Sequence, residues 1–164
     1  MIKTFEEWID KVVLADELCA NYYDKVTKAV SNKRLADLAT DSNGITYLCE
    51  MEAKGLALPY EVITSRFGNF INGKYKAEHI NEVGGKYTSA IYCCHKGDIK
   101  GDVTLLTLLG CDATIYVKEN SIMQIYLDKN SKAKIECPLG SKALVYYWGK
   151  KPICSGDVDI VKET

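Results

Sequence analysis

Thiols and imidazoles are the groups in this chain best suited to direct chemistry. It has seven cysteines (Cys19, Cys49, Cys93, Cys94, Cys111, Cys137, Cys154) and two histidines, His79 and His95. Cys93-Cys94-His95, with His79 nearby, is the densest group. A zinc centre needs four converging ligands, usually supplied in C-x2-C-type pairs. Consecutive residues of an extended strand point to opposite faces, so Cys94 is expected to face away from Cys93 and His95. No second pair exists, and no bound metal is expected. A nucleophilic thiol needs a base and an oxyanion donor beside it, and no protease-like signature surrounds any of the seven. An odd count without a spacing framework, among apolar neighbours, reads as free thiols acting as small core hydrophobes in a reducing compartment.

Other catalytic kits are equally thin. The glycines form neither a dinucleotide fingerprint nor a phosphate loop. Lys96-Gly97-Asp98-Ile99-Lys100-Gly101-Asp102 reads as a charged turn, and two Asp at that spacing are a weak cation signal. Carboxylate pairs for glycoside hydrolysis meet only in space, and the acids here fall mostly in turns or beside Lys, as solvated charges do. The chain is therefore expected to be non-enzymatic and without a cofactor.

The strongest positive pattern is aromatic. Tyr116, Tyr126, Glu136 and Tyr146 recur every ten residues, and Trp148 follows Tyr146 at a spacing of two. In registered strands this makes a ladder whose cross-strand pairs contribute about 0.2–1 kcal/mol each. Two further readings of Tyr116, Tyr126, Tyr146 and Trp148 are a face that docks another subunit and a row that stacks on sugar rings.

The elements that position these groups fall into two regions. Thr4 and Glu7 form a capping box, and apolar residues recur at helical spacing from Phe5 to Val30 without Gly or Pro. One long amphipathic helix over 5–30 is predicted. Its stripe, with Trp8, Val12, Cys19, Tyr22, Tyr23 and Val26, is a candidate surface for packing against partner helices. Short helices follow near 33–39, 45–54 and 59–71, the last opened by Pro59 and stopped by Asn72-Gly73. From Lys74 the period changes from 3.6 to 2. Strands are predicted at 75–80 and 86–94, with Gly84-Gly85 turning between them. Alternating apolar sites then begin at Val103, Ala113, Met123, Ala133 and Ala143, with odd positions buried throughout. This gives an α+β chain: a helical region, 1–72, and a β-region, 73–164. The β-region is either short antiparallel strands in a sandwich or barrel, or a small β-solenoid. Spacing favours the former.

Bulk properties narrow the partners. Formal net charge is −1, which gives no electrostatic footprint for nucleic acid. No apolar run approaches the roughly 20 residues that span a bilayer, and the first residues carry two acids and no apolar core of a secretory signal. Neither nucleic acid nor membrane is an expected partner.

Several strings occur together: Ser42-Asn43-Gly44-Ile45, Leu48-Cys49-Glu50, Leu58-Pro59-Tyr60-Glu61-Val62-Ile63, Phe67 with Phe70-Ile71-Asn72-Gly73-Lys74-Tyr75, Tyr87-Thr88-Ser89-Ala90-Ile91-Tyr92, and the run from Thr104 to Val117. Over roughly residues 42–150 the chain resembles small virion-associated proteins of phages that infect gut Bacteroides, including crAss-like phages. The resemblance implies a non-enzymatic structural part (head decoration, fibre or connector), found in the virion and assembled in the host bacterial cytoplasm. It also implies other phage structural proteins as partners and a homo-oligomer, a trimer by analogy. The alternative, on the aromatic row, is a carbohydrate-binding module for a bacterial surface polysaccharide.

Overall fold

Thr4 opens α1 (Phe5–Leu14) as the N-cap its capping box predicts, its side chain accepting from the Glu7 N–H, while the Glu7 carboxylate reaches back to the Lys3 N–H rather than to that of Thr4. The single helix expected over 5–30 does not form. Asp16 adopts a left-handed φ of 57°. Its N–H donates to Val13 O and that of Glu17 to Val12 O, which is the double closure that ends a helix. The chain restarts as α2 (Ala20–Thr27), and Leu18 between them is buried. Periodicity alone missed this break because Asp, like Gly, tolerates the left-handed region through its short polar side chain. The computed structural model describes residues 1–164. Next come α3 (Asn32–Thr40), capped by Ser31, α4 (Tyr47–Ala53) and α5 (Tyr60–Phe67), which runs into a 3-10 turn at Gly68–Phe70.

Ten strands follow: β1 (Ala77–Ile80), β2 (Lys86–Cys93), β3 (Lys96–Gly101), β4 (Leu105–Leu109), β5 (Asp112–Val117), β6 (Ile122–Leu127), β7 (Lys132–Glu136), β8 (Lys142–Tyr147), β9 (Ile153–Ser155) and β10 (Val158–Lys162). β1 and β2 form the expected antiparallel hairpin. From β2 onward the chain steps alternately between two sheets, β1-β2-β4-β6-β8-β10 and β3-β5-β7-β9, and every new pairing is parallel. The architecture is α+β with a small β-solenoid. Of the two β arrangements expected, the antiparallel sandwich or barrel is not adopted. Alternation at period 2 is the same for either strand direction, so spacing could not separate them. The segment expected as a charged turn, 96–102, is mostly strand β3, with Ile99 buried inside the coil and the charges outside.

The ten-residue repeat is half a turn. Ile115 aligns with Ile135 in one sheet and Ile125 with Val145 in the other, so a full turn takes about twenty residues. These side chains, with Ala113, Met123, Leu127 and Ala143, form the coil interior. The predicted odd-position burial describes β5 to β8 but is reversed in β4, where Leu106 and Leu108 point inward. The reason is the step length: Leu105 aligns with Gln124, nineteen residues on, and an odd step exchanges faces.

The six-stranded sheet is covered on its outer face. Ile91, Cys93, Leu105, Leu109 and Tyr126 pack in one cluster with Trp8, Val12, Leu35, Cys49, Ile63 and Phe67 of the helices. All five residues of β4 are therefore buried, as expected for a strand enclosed on both sides.

Candidate functional site

The most developed polar arrangement lies where the helices meet the coil. Asp128, just after β6, is fully buried. Its carboxylate accepts from Gly110 N–H at 3.1 Å, from Ser131 Oγ at 2.7 Å and from the Tyr60 hydroxyl of α5. Ser131 Oγ in turn accepts from Cys111 N–H at 3.1 Å. Asn130 Nδ2 donates to Tyr60 Oη and to Glu52 Oε1 of α4, both at 2.9 Å. Lys129 Nζ stands 3.7 Å from the same Glu52 oxygen. Burial, then the hydrogen bond to Asp128, pushes the Tyr60 phenol above its ordinary range, so it stays a donor.

Glu52 Oε2 is buried without a protein partner. Glu52, Tyr60 and Asp128 border a cavity of about 10 Å³ closed by Leu48, Leu58, Ile63 and Leu109. That volume suits one water and no organic substrate. The arrangement is a polar latch between α4, α5 and the β6–β7 turn. Sequence reasoning placed these acids among solvated turn charges. An Asp with a Ser three residues on is ordinary surface-turn chemistry, and the partners that bury Asp128, Tyr60 and Gly110, are remote in the chain.

The aromatic row does not form one face. Tyr126 lies opposite Tyr146 in the six-stranded sheet, rings stacked at 5.2 Å and 8°. Tyr116 lies in the other sheet, opposite Glu136, and is exposed. Successive ten-residue units alternate sheets, so residues ten apart part company while those twenty apart meet. Tyr126 is only 6% exposed, packed under the helices with Tyr146 and Trp148 half-buried beside it. Stacking on a sugar ring needs an open ring face, and Tyr126 has none.

The six residues chosen for helix packing also divide. Trp8 and Val12 are core, Trp8 donating its indole N–H to Leu56 O at 2.7 Å. Tyr22 and Val26 are half-buried over an apolar cavity of about 70 Å³ between the helices and Ile91. Cys19 and Tyr23 face outward.

All seven cysteines are free, and Cys49, Cys93, Cys111 and Cys137 are buried. Burial pushes the Cys49 thiol well up and that of Cys111 to about 11, so both remain protonated. The expectation that Cys94 faces away from Cys93 is overturned. Cys94, the first residue after β2, has a left-handed φ of 55°, which swings its side chain back to an Sγ–Sγ distance of 4.0 Å from Cys93. His95 is turned toward Tyr92, edge to face at 5.1 Å. His79 is remote from that group. Its Nε2 is 3.1 Å from Thr40 Oγ1 and its ring stacks on Tyr87 at 5.0 Å.

Burial lowers the His79 pKa below its ordinary value of 6.5. A base whose folded pKa is depressed contributes stability that is present above about pH 6.5 and lost as pH falls through the folded value. Stability measured by urea unfolding is thus expected to decline as pH falls below about 6.5. The decline should be shallower in His79→Gln. An identical slope in both proteins would contradict this account.

No helix is long and apolar enough to cross a membrane. No family model matches the chain, and no curated protein and no solved structure is similar to it.

Proposed function

We propose that this protein is a non-enzymatic structural part of a phage particle, a head decoration, fibre or connector component that works through protein–protein assembly. The observation that supports this most is the far end of the coil. There β9 and β10 each leave one side of their sheet without a neighbouring strand. Unpaired N–H and C=O groups at such an edge are a template for another chain. Ile153 and Val161 stand exposed beside them, and Val13, Leu14, Tyr23 and Val30 do so around α1 and α2. The largest buried polar arrangement is occupied in holding helices to coil rather than opening to a substrate. The resemblance over residues 42–150 supplies the phage setting and favours a trimer.

Two measurements test the reading together. Mass spectrometry of purified particles from the source should find the chain in many copies, and sedimentation velocity should show a concentration-dependent oligomer. A monomer at high concentration that is also absent from particles would overturn it.

A further inference from the structure

Cys93 and Cys94 sit at the corner where β2 passes into β3, and they differ sharply in exposure. Cys93 is 1% exposed and belongs to the core shared by helices and sheet. Cys94 is exposed. The left-handed backbone at Cys94 removes the usual strand alternation and leaves the two sulfurs 4.0 Å apart on one side of the chain. Cys111, the next nearest thiol, is engaged elsewhere: its Sγ lies 3.4 Å from Tyr92 O and 3.5 Å from Leu109 O. An accessible thiol beside a shielded partner is the arrangement by which redox-sensing cysteines are captured as disulfides.

We propose that Cys93–Cys94 is a thiol modification site, open to low-molecular-weight disulfides of the glutathione type, which oxidise the pair to a bond between adjacent residues. The Cys94 thiolate attacks one sulfur of the disulfide, forming a mixed disulfide and expelling one thiolate. Cys93 then loses its proton and attacks the Cys94 sulfur, expelling the second. The protein gives up two electrons and two protons, and the small disulfide becomes two thiols. Burial, and then the neighbouring Cys94, hold the Cys93 thiol well above its ordinary range. In the mixed disulfide Cys94 is no longer a thiol or thiolate, so its own influence on Cys93 ends when the first step is complete.

The surroundings give this bond a consequence. Closing it draws the sulfurs from 4.0 Å to about 2.05 Å. The ring so formed contains the 93–94 peptide. Consecutive Cα atoms lie about 3.8 Å apart, short of the roughly 4.4 Å at which disulfides normally begin, so the bond is strained and readily reduced. Both polar groups of that peptide are now in use: Cys93 O accepts from Asn72 Nδ2 at 3.2 Å, and Cys94 N–H donates to Leu109 O at 2.9 Å. Asn72 Oδ1 also accepts from Cys93 N–H at 2.8 Å. Asn72 is therefore a clamp joining the end of the helical region to β2, and turning the peptide to close the ring opens it.

The test uses the whole chain with oxidised glutathione as the probe. Trypsin releases residues 87–96 as one peptide that carries Cys93 and Cys94 and no other cysteine. After oxidation that peptide should be lighter by two hydrogen atoms and regain them on reduction with dithiothreitol. Amide exchange at Cys93 should quicken about tenfold or more and return on reduction. Cys94→Ser, an exposed change that leaves the fold intact, should abolish both effects, whereas Cys111→Ser should keep them. A stable glutathione adduct on Cys94, a bridge from Cys94 to Cys111 or to another chain, or an unreacted Cys94 would each overturn the proposal.

Discussion

Asp128→Ala is expected to destabilise the protein by about 3–4 kcal/mol, a large share of the roughly 5–15 kcal/mol that holds a typical domain together. The carboxylate has no exposure and takes hydrogen bonds from Gly110, Ser131 and Tyr60. Alanine leaves these donors buried without an acceptor, each costing about 1–3 kcal/mol before relaxation or water entry. Asp128→Asn keeps one acceptor oxygen and should fall between the two. Tyr60→Phe should cost less than either, since two donors to Asp128 remain. Urea unfolding of the four proteins checks the order. An Asp128→Ala protein within about 0.5 kcal/mol of the original, the range of ordinary surface changes, would show that the latch contributes nothing.

The second large effect belongs to Trp8→Ala. Trp8 is 3% exposed, packs tilted against Phe5 at 5.7 Å and edge-on to Tyr47 at 6.0 Å, and donates to Leu56 O. Truncation removes the whole ring from a core that already contains a cavity of about 70 Å³. Loss of roughly 3–5 kcal/mol is expected. Circular dichroism and near-ultraviolet spectra during thermal unfolding check it. The helical signal should melt earlier than in the original chain, because the coil interior is a separate cluster that does not include Trp8. An unchanged midpoint would place Trp8 outside the core.

Much of this fold was legible in the sequence, and each failure has a physical cause. The N-cap at Thr4, the β1–β2 hairpin and the ten-residue strand spacing are local signals, and local signals survive. The helix expected over 59–71 instead ends at Phe67, where a 3-10 turn takes over before Asn72-Gly73. The break at Asp16 was invisible because apolar periodicity continues across it while one residue's φ does not. The inward face of β4 was misjudged because a nineteen-residue step precedes β6 where twenty would have preserved parity. The aromatic row was read as a single ladder because spacing records distance along the chain and not the sheet to which each unit goes. Tyr126 and Tyr146 meet; Tyr116 meets Glu136 instead. The latch was hidden altogether, since Glu52, Tyr60, Gly110 and Asp128 are brought together only by the coil and its helical cover. The thiol pair was dismissed by a strand rule that holds for every residue of β2 but fails at the first residue beyond it.

The alternation of the chain between two sheets fixes how this protein can change in length. Because one circuit in the middle of the coil takes about twenty residues, duplication of such a circuit would lengthen the stack and return every later strand to its own sheet. Duplication of one ten-residue unit would not. It would send each following strand to the opposite wall, carrying Tyr146 away from the helices and bringing charged strand faces beneath them. The repeat visible in the sequence is therefore not the unit by which the molecule can grow. Growth by duplication is confined to pairs of repeats, and a relative of different length should differ by even numbers of them.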